Sequence, residues 1–142
     1  MASTLMMTDS RKVEAYPVSE HARMGTLPRH FGQHMMIVEG RVFDLMSEFC
    51  AAYEGGFWQF YELSNGGFYM APRFDRAEIH VPSNGYRGQM SADAAGIMVC
   101  LFTFSLLSFE YPQEQVFSRH FYRLRDYALG HPEGTQIFAA ID

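Results

Sequence analysis

The sequence predicts an α+β protein in which a single antiparallel four-strand meander sheet packs against about four to five helices. Apolar residues recur at spacings of three and four on both sides of a central stretch, as amphipathic helices require. Within that stretch, residues 57–90, the pattern changes to short aromatic and β-prone runs separated by two Asn-Gly turns. Strands that are grouped centrally, with helices before and after them, indicate one sheet covered by helices.

The helical segments are predicted from their periodicity and from their ends. The longest early one runs from about residue 33 to 53, with Gly40 as a weak point inside it. A second helix follows Ser91, its expected N-cap, and places Asp93 near the positive end of the helix dipole. The remaining predicted helices are a short one over residues 19–24 and two later ones over about 113–129 and 132–141.

The predicted strands cover residues 57–63, 68–71, 77–81 and 86–90. Asn65-Gly66 joins the first two strands, and Asn84-Gly85 joins the last two. Each Asn-Gly pair is expected to supply the two positive φ values of a type I′ turn. Extended backbone is also expected just before Pro28, because proline disfavours helical backbone in the residue that precedes it.

The chain, at 142 residues, is long enough for one domain with its own core. Residues 1–17 lack periodicity and are predicted to form a flexible leader, followed by a single domain over residues 18–142. The leader lacks the basic-then-apolar order of a secretory signal. The most apolar stretch, residues 97–107, is shorter than the roughly 20 residues that cross a bilayer. We therefore expect a cytoplasmic protein with reduced cysteines and no membrane partner.

The charge of the chain argues against two modes of action. Duplex DNA carries one charge per roughly 1.7 Å of axis, so a mimic of about ten base pairs needs about twenty charges. The net charge of −5, from 16 acidic and 11 basic residues, is far smaller and also gives no bulk attraction to phosphate. The acidity is local, since residues 39–62 hold five acidic residues, including Glu39, and one arginine, a net −4. This segment is either a solvated surface or a docking face for a basic partner.

No residue pattern identifies an active site. His30 and His34 have the i, i+4 spacing of a zinc pair, but the catalytic glutamate and a third ligand are missing. Nucleophile and base pairs can be drawn from either cysteine with a histidine, namely Cys50 or Cys100 with His80 or His120. Nothing selects one of these pairs, and the signatures of acyl transfer, phosphoryl transfer and dinucleotide binding are absent. We predict no catalytic residue, metal, cofactor or small-molecule substrate.

The aromatic strands offer an alternative function. Alternation sends Trp58 and Phe60 to one face of the sheet and Phe57 and Tyr61 to the other. Such a sheet is either covered on both sides or exposes a surface on which the bases of single-stranded nucleic acid stack. Core packing is favoured because the strands lack interleaved basic residues before Arg73. A nucleic-acid-binding module remains the alternative.

Four separate segments resemble the ArdB/KlcA antirestriction family. They occur in the family's order between residues 27 and 142, about four-fifths of the chain, and residues 1 to about 20 do not contribute. The segments are LPRHFGQHMM at 27–36, GGFWQFYELSNGGFYMAP at 55–72, GQMSADAAGI at 88–97 and YRLRDYALGHPEGTQIFAAID at 122–142.

The resemblance implies a protein of a plasmid or mobile element that relieves the cleavage of incoming DNA by type I restriction enzymes while sparing modification. It implies a type I restriction-modification complex, or its DNA-bound form, as the partner. The weak net charge agrees with an inhibitor that binds without imitating DNA, and we do not expect it to bind DNA directly.

Two places are predicted to contact that partner. The C-terminus ends in two carboxylates, the side chain and the chain end of Asp142, beside apolar residues that can anchor it. The second place combines Arg29 and His30 with Trp58 and Tyr61, since arginine, tryptophan and tyrosine are common interface anchors. The alternatives are a frayed C-terminus and a structural role for Trp58 in the core.

Overall fold

The protein is described by a computed structural model that covers residues 12–142. Its strands are β1 (Ala15–Pro17), β2 (Trp58–Leu63), β3 (Phe68–Pro72), β4 (Arg76–Val81) and β5 (Tyr86–Ser91). Its α-helices are α1 (Thr26–Phe31), α2 (Met35–Phe49), α3 (Ala92–Glu110), α4 (Gln115–Ala128) and α5 (Gly134–Ile141). Short 3-10 helices, Glu20–Gly25 and Gly32–His34, flank α1. The α+β class is confirmed.

The strands form two antiparallel sheets, and the predicted single four-strand meander is wrong. Within residues 12–142, one sheet has the order β1-β2-β3 and the other pairs β4 with β5. β3 ends at Pro72, and residues 73–75 separate it from β4, which pairs with β5 instead. The chain then leaves the first sheet, and β4 packs against α2 and α3.

The strand β1 corrects the prediction of a flexible leader over residues 1–17. Residues 1–11 lie outside the described residues, but Ala15–Pro17 pair with β2. Two backbone hydrogen bonds extend this pairing, from Val18 N to Phe60 O at 2.9 Å and from Ser64 N to Glu14 O at 2.8 Å. Residues 15–17 therefore belong to the folded domain, because they satisfy the outer edge of β2.

The two hairpin turns are present, but they are not the predicted type I′ turns. In the part of the chain that is described, only glycines have positive φ, with Gly66 at 89° and Gly85 at 78°. Asn65 acts through its side chain, whose Oδ1 accepts a hydrogen bond from Gly67 N at 3.0 Å. Asn84 bonds the residue two positions ahead in the same way. Each connection spans four residues and needs a positive φ only at its glycine, so the asparagine keeps a negative φ.

The segment around Pro28 is helical rather than extended. Pro28 is the third residue of α1, in the first turn, where a backbone N–H would have no partner within the helix. The Thr26 hydroxyl donates to Ala22 O at 3.0 Å and joins α1 to the 3-10 helix before it. This geometry places Arg29 and His30 on α1, beside β2.

The helix α3 forms the centre of the core and packs against β3, α2, α4 and α5. Gly96 allows close contact, since a Cβ there would lie 2.5 Å from Met70 O. The predicted cap is confirmed, because Ser91 Oγ accepts a hydrogen bond from Ala94 N at 3.2 Å. The helix is long and apolar enough to span a membrane, but 67% of its most apolar window is buried inside the protein. The helix α3 is therefore the core helix of the domain.

Candidate functional site

The predicted contact place around Arg29 contains a cluster of Arg29, His30, Glu62 and His120, which we call the Arg29 cluster. Arg29 Nη2 donates to Glu62 Oε2, and His30 Nε2 lies 2.8 Å from Glu62 Oε1. Because an ionised carboxylate only accepts hydrogen bonds, His30 Nε2 carries the proton. Burial lowers the pKa of His30, although Glu62 opposes this shift. Burial alone would raise the pKa of Glu62, but the hydrogen bonds from Arg29 and His30 outweigh it and lower that pKa.

His120 lies beneath this cluster and is only 3% exposed. Its ring packs 4.9 Å from the ring of His30 and 4.7 Å from that of Phe31, measured between centroids. Its Nδ1 is buried and has no hydrogen-bond partner among residues 12–142. Burial, assisted by the charge of His30, lowers the pKa of His120 to about 3. The imidazole is therefore neutral at pH 7, and its environment is that of a core side chain.

The two candidate nucleophiles, Cys50 and Cys100, are both free and buried. Cys100 donates its S–H to Met70 O at a distance of 3.7 Å. Burial raises the pKa of its thiol to about 12. Cys100 therefore remains a protonated thiol within the core rather than a nucleophile.

Trp58 and Tyr61 do not form one surface with Arg29 and His30. Trp58 is 2% exposed and donates from Nε1 to the Tyr53 hydroxyl at 2.8 Å, so it lies in the core. Tyr61 points to the opposite face of β2, where it stacks on Tyr69 with ring centroids 4.6 Å apart. The structure thus brings Arg29 and His30 together and separates them from the two aromatic side chains.

The aromatic sheet is largely covered on both faces. Four of its rings are at most 3% exposed: Trp58, Phe60, Phe68 and Tyr69. Phe57, which precedes β2, is 41% exposed and lies between the guanidinium groups of Arg23 and Arg73, at 4.5 and 4.4 Å. One ring of this kind is a single stacking position, whereas single-strand binding uses a row of them.

The acidic residues between positions 39 and 62 are dispersed. Glu62 is bonded within the Arg29 cluster, while Asp44 and Glu48 are exposed on α2 and Glu54 is exposed on the loop after it. Glu39 is half-buried and lines a shallow groove with Arg23. The arginine of this segment, Arg41, makes two hydrogen bonds to Glu110 on α3, at 2.8 and 3.0 Å. The segment therefore presents separate charges rather than one acidic face.

The other predicted contact place, around Asp142, is anchored through its backbone. Asn84, in the turn between β4 and β5, donates from Nδ2 to Ala140 O at 2.7 Å and to Asp142 O at 3.3 Å. The helix α5 buries Ile137 and Ala140, while the Asp142 side chain is exposed. Asn84 consequently holds the backbone of residues 140–142, which argues against fraying of this segment.

Sequence reasoning missed a polar cluster of Tyr69, Ser91, Asp93, His131 and Glu133, which we call the Asp93 network. His131 Nδ1 accepts from Glu133 N at 3.0 Å, so in the neutral ring Nε2 carries the proton and donates to Asp93 Oδ2 at 2.8 Å. The Tyr69 hydroxyl donates to Asp93 Oδ1 at 2.7 Å. The Glu133 carboxylate accepts from both the backbone N and the hydroxyl of Ser91.

The Asp93 network joins the start of α3 to the segment before α5. Burial alone would raise the pKa of Asp93, but the hydrogen bonds from His131 and Tyr69 outweigh it and lower that pKa. The sequence signal for this network was available, since two of the segments that carry the family resemblance, 88–97 and 122–142, contain four of its five residues. What the sequence did not reveal is that those segments meet.

Comparison with known proteins gives a consistent result. The family described as "Antirestriction protein" matches residues 51–142. The antirestriction protein KlcA of Escherichia coli is 41% identical over 143 residues, which cover 96% of this chain and 100% of that protein. The putative antirestriction protein YubI of Escherichia coli strain K12 is 35% identical over 131 residues, covering 88% and 93% of the two chains.

A solved structure has the same fold, with a TM-score of 0.84 and 43% sequence identity over 92% of this chain and 95% of the other. With this solved structure, the KlcA and ArdB proteins are described as having a novel fold and antirestriction activity against type I DNA restriction systems in vivo but not in vitro. On the family match, the relatives and the fold, this chain belongs to the antirestriction protein family that includes KlcA.

Proposed function

We propose that this protein relieves the cleavage of incoming plasmid or mobile-element DNA by type I restriction enzymes, through binding to the restriction-modification complex or to its DNA-bound form. The observation that carries this proposal is the similarity, over 92% of the chain, to a structure of proteins active against type I systems in vivo. Because that activity was absent in vitro, phage plating on living cells, where any required host component is present, is the appropriate measurement.

The arrangement of charges favours recognition of a protein surface over imitation of DNA. Three of the glutamates form ion pairs with arginines: Glu62 with Arg29, Glu110 with Arg41 and Glu133 with Arg76. Such pairing neutralises local charge, whereas a DNA mimic needs a regular row of unpaired negative charges. The polar clusters are also engaged in structural hydrogen bonds, as in the Asp93 network, which supports a binding role over a catalytic one.

We place the main contact at Asp142 and a second contact at Arg29, whose side chain is 60% exposed despite its bond to Glu62. His30 supports that site from the buried side through its contact with Glu62. Carboxylates and arginines make strong charge-assisted hydrogen bonds across interfaces, and few such residues dominate the binding energy.

Asp142→Ala tests the main contact. It should lower protection at least tenfold, measured as phage plating on a type I restricting host, because the exposed carboxylate that is proposed to bind a partner cation is lost. The thermal midpoint should not change, since the side chain is exposed and makes no described salt bridge. Asp75→Ala, which removes another exposed aspartate, is the matched control and should protect fully. Full protection by Asp142→Ala would remove this contact from the proposal.

Arg29→Ala tests the second contact. It should reduce plating protection about tenfold and leave the thermal midpoint within about 2 °C, because Glu62 keeps its hydrogen bond to His30 and exposed ion pairs stabilise little. Arg87→Ala, on the exposed side of β5, serves as the control and should protect like the unchanged protein. A large fall in the thermal midpoint would instead assign Arg29 to stability.

A further inference from the structure

One stripe of the core helix α3 faces outward. Residues 102, 105, 106 and 109 recur at i, i+3, i+4 and i+7, the spacing of a single helix face, and none of them is fully buried. Phe109, at the end of the stripe, is 80% exposed, whereas Phe102 and Leu106 are half-buried. A helix face of this composition normally meets another apolar surface.

The stripe borders a groove to which three helices contribute. Its lining residues are Leu101, Phe102, Ser105 and Leu106 from α3, Phe121 from α4 and Ile141 from α5. The groove has a volume of about 100 Å³ and a mainly apolar lining, so it has room for about one apolar side chain. We call it the α3–α4 groove.

The C-terminus gives this groove a charged rim. Ile141 lines the groove, and the exposed Asp142 follows it directly in the chain. Asn84 holds the backbone here through hydrogen bonds to Ala140 O and Asp142 O. An apolar pocket next to the Asp142 carboxylate is complementary to a bulky apolar side chain beside a cation.

We infer that the α3–α4 groove docks a segment of a partner protein that carries a bulky apolar side chain beside an arginine or lysine. The inference rests on the proposed function, which it deepens by naming the chemistry of the segment that is bound. A second copy of this chain fits the groove less well. A two-fold contact at this groove would bring two copies of the Asp142 carboxylate together in a protein whose net charge is already −5.

Plating assays with two groove variants test the inference. Leu106→Gln places a polar group in the lining, and Ser105→Trp fills the groove without removing a core side chain. Both should lower phage plating protection on a type I restricting host at least tenfold. Leu129→Gln changes a leucine that is 61% exposed at the end of α4, outside the groove, and should protect fully.

Crosslinking in the same cells identifies the occupant. The photoreactive residue p-benzoylphenylalanine at position 109 should crosslink to a restriction enzyme peptide that contains an apolar residue next to an arginine or lysine, and at position 129 it should not. If Ser105→Trp folds and protects fully, or if position 109 crosslinks to a second copy of this chain, the groove inference is overturned while the proposed function stands. If the unchanged protein fails to protect the restricting host, the proposed function and the groove inference fail together.

Discussion

At the scale of single residues, two helical glycines have opposite surroundings. Gly40 lies on the exposed side of α2, and a Cβ at that position would have no atom within 4 Å. Gly96 lies on α3 against β3, where a Cβ would be 2.5 Å from Met70 O and 2.6 Å from Ala71 Cα. Both of these contacts are with backbone, which cannot move aside as a flexible side chain can.

The two positions therefore predict opposite effects of the same substitution. Gly40→Ala should raise the free energy of unfolding by about 0.5–1 kcal/mol, because alanine restricts the unfolded chain and favours the helix. Gly96→Ala should lower it by about 1–3 kcal/mol through overpacking against β3. Urea denaturation of both variants measures these changes, and the same sign for both would contradict the packing described for α3.

The buried His120 predicts a pH dependence of stability. Its pKa is about 3 in the folded protein, against roughly 6.5 in the unfolded chain, so the unfolded state binds more protons between these values. Above pH 6.5 His120 is neutral in both states, so its titration does not change the free energy of unfolding. Between roughly pH 6.5 and pH 3, the free energy of unfolding should fall by about 1.4 kcal/mol for each pH unit of acidification.

His120→Phe isolates this effect because it keeps an aromatic ring among Phe31 and Phe104 and removes the titrating group. Between pH 7 and pH 5 the unchanged protein should lose about 2 kcal/mol more than the variant in urea denaturation. Equal losses in the two proteins would mean that His120 is solvated or hydrogen-bonded in solution.

At the scale of elements, the Asp93 network connects two helices that lie far apart in sequence. Glu133, just before α5, accepts hydrogen bonds from Ser91, which in turn caps the first turn of α3. Loss of this carboxylate leaves the Ser91 N–H without its acceptor, although the hydrogen bond that Ala94 N donates to Ser91 Oγ can remain. The start of α3 therefore depends on a residue from a distant segment.

Glu133→Ala should lower the free energy of unfolding by about 1–3 kcal/mol, since a half-buried donor loses a charged acceptor. Glu114→Ala, just before α4, is the matched control because its carboxylate is more exposed and, within residues 12–142, is paired with His34 alone, at 3.2 Å. The control should change stability by less than about 0.5 kcal/mol. Similar thermal midpoints for the two variants would show that the network does not hold α3 in place.

Elements whose signals are local could be predicted from the sequence. The periodicity of α2 and α4 depends on neighbours within one or two turns, and so does the cap at Ser91. The corresponding helices were therefore predicted correctly, with ends displaced by a few residues. Pro28 was misread because its effect depends on its position within a helix, and the sequence did not show that α1 begins at Thr26. The hairpins were found, but their turn type depended on which residue takes positive φ.

At the scale of the whole molecule, pairing between distant segments limited the prediction. The sequence showed neither that β1 joins β2 nor that β4 leaves β3, because both depend on contacts that no local pattern encodes. The same limit applies to the candidate site. Arg29 and His30 were chosen by residue type, but their bonds to Glu62 span more than 30 positions of chain. Burial likewise moved Trp58 from a candidate contact to the core.

The short strand β1 has a practical consequence for work with shortened versions of the protein. A chain starting at residue 18 would lack all three residues that pair with β2, and the outer N–H and C=O groups of that strand would face water. An edge strand with unpaired N–H and C=O groups readily pairs with a strand of a neighbouring molecule, which leads to oligomers and precipitation. Versions that begin no later than residue 12 retain the shielding strand and are the appropriate material for purification and interaction experiments.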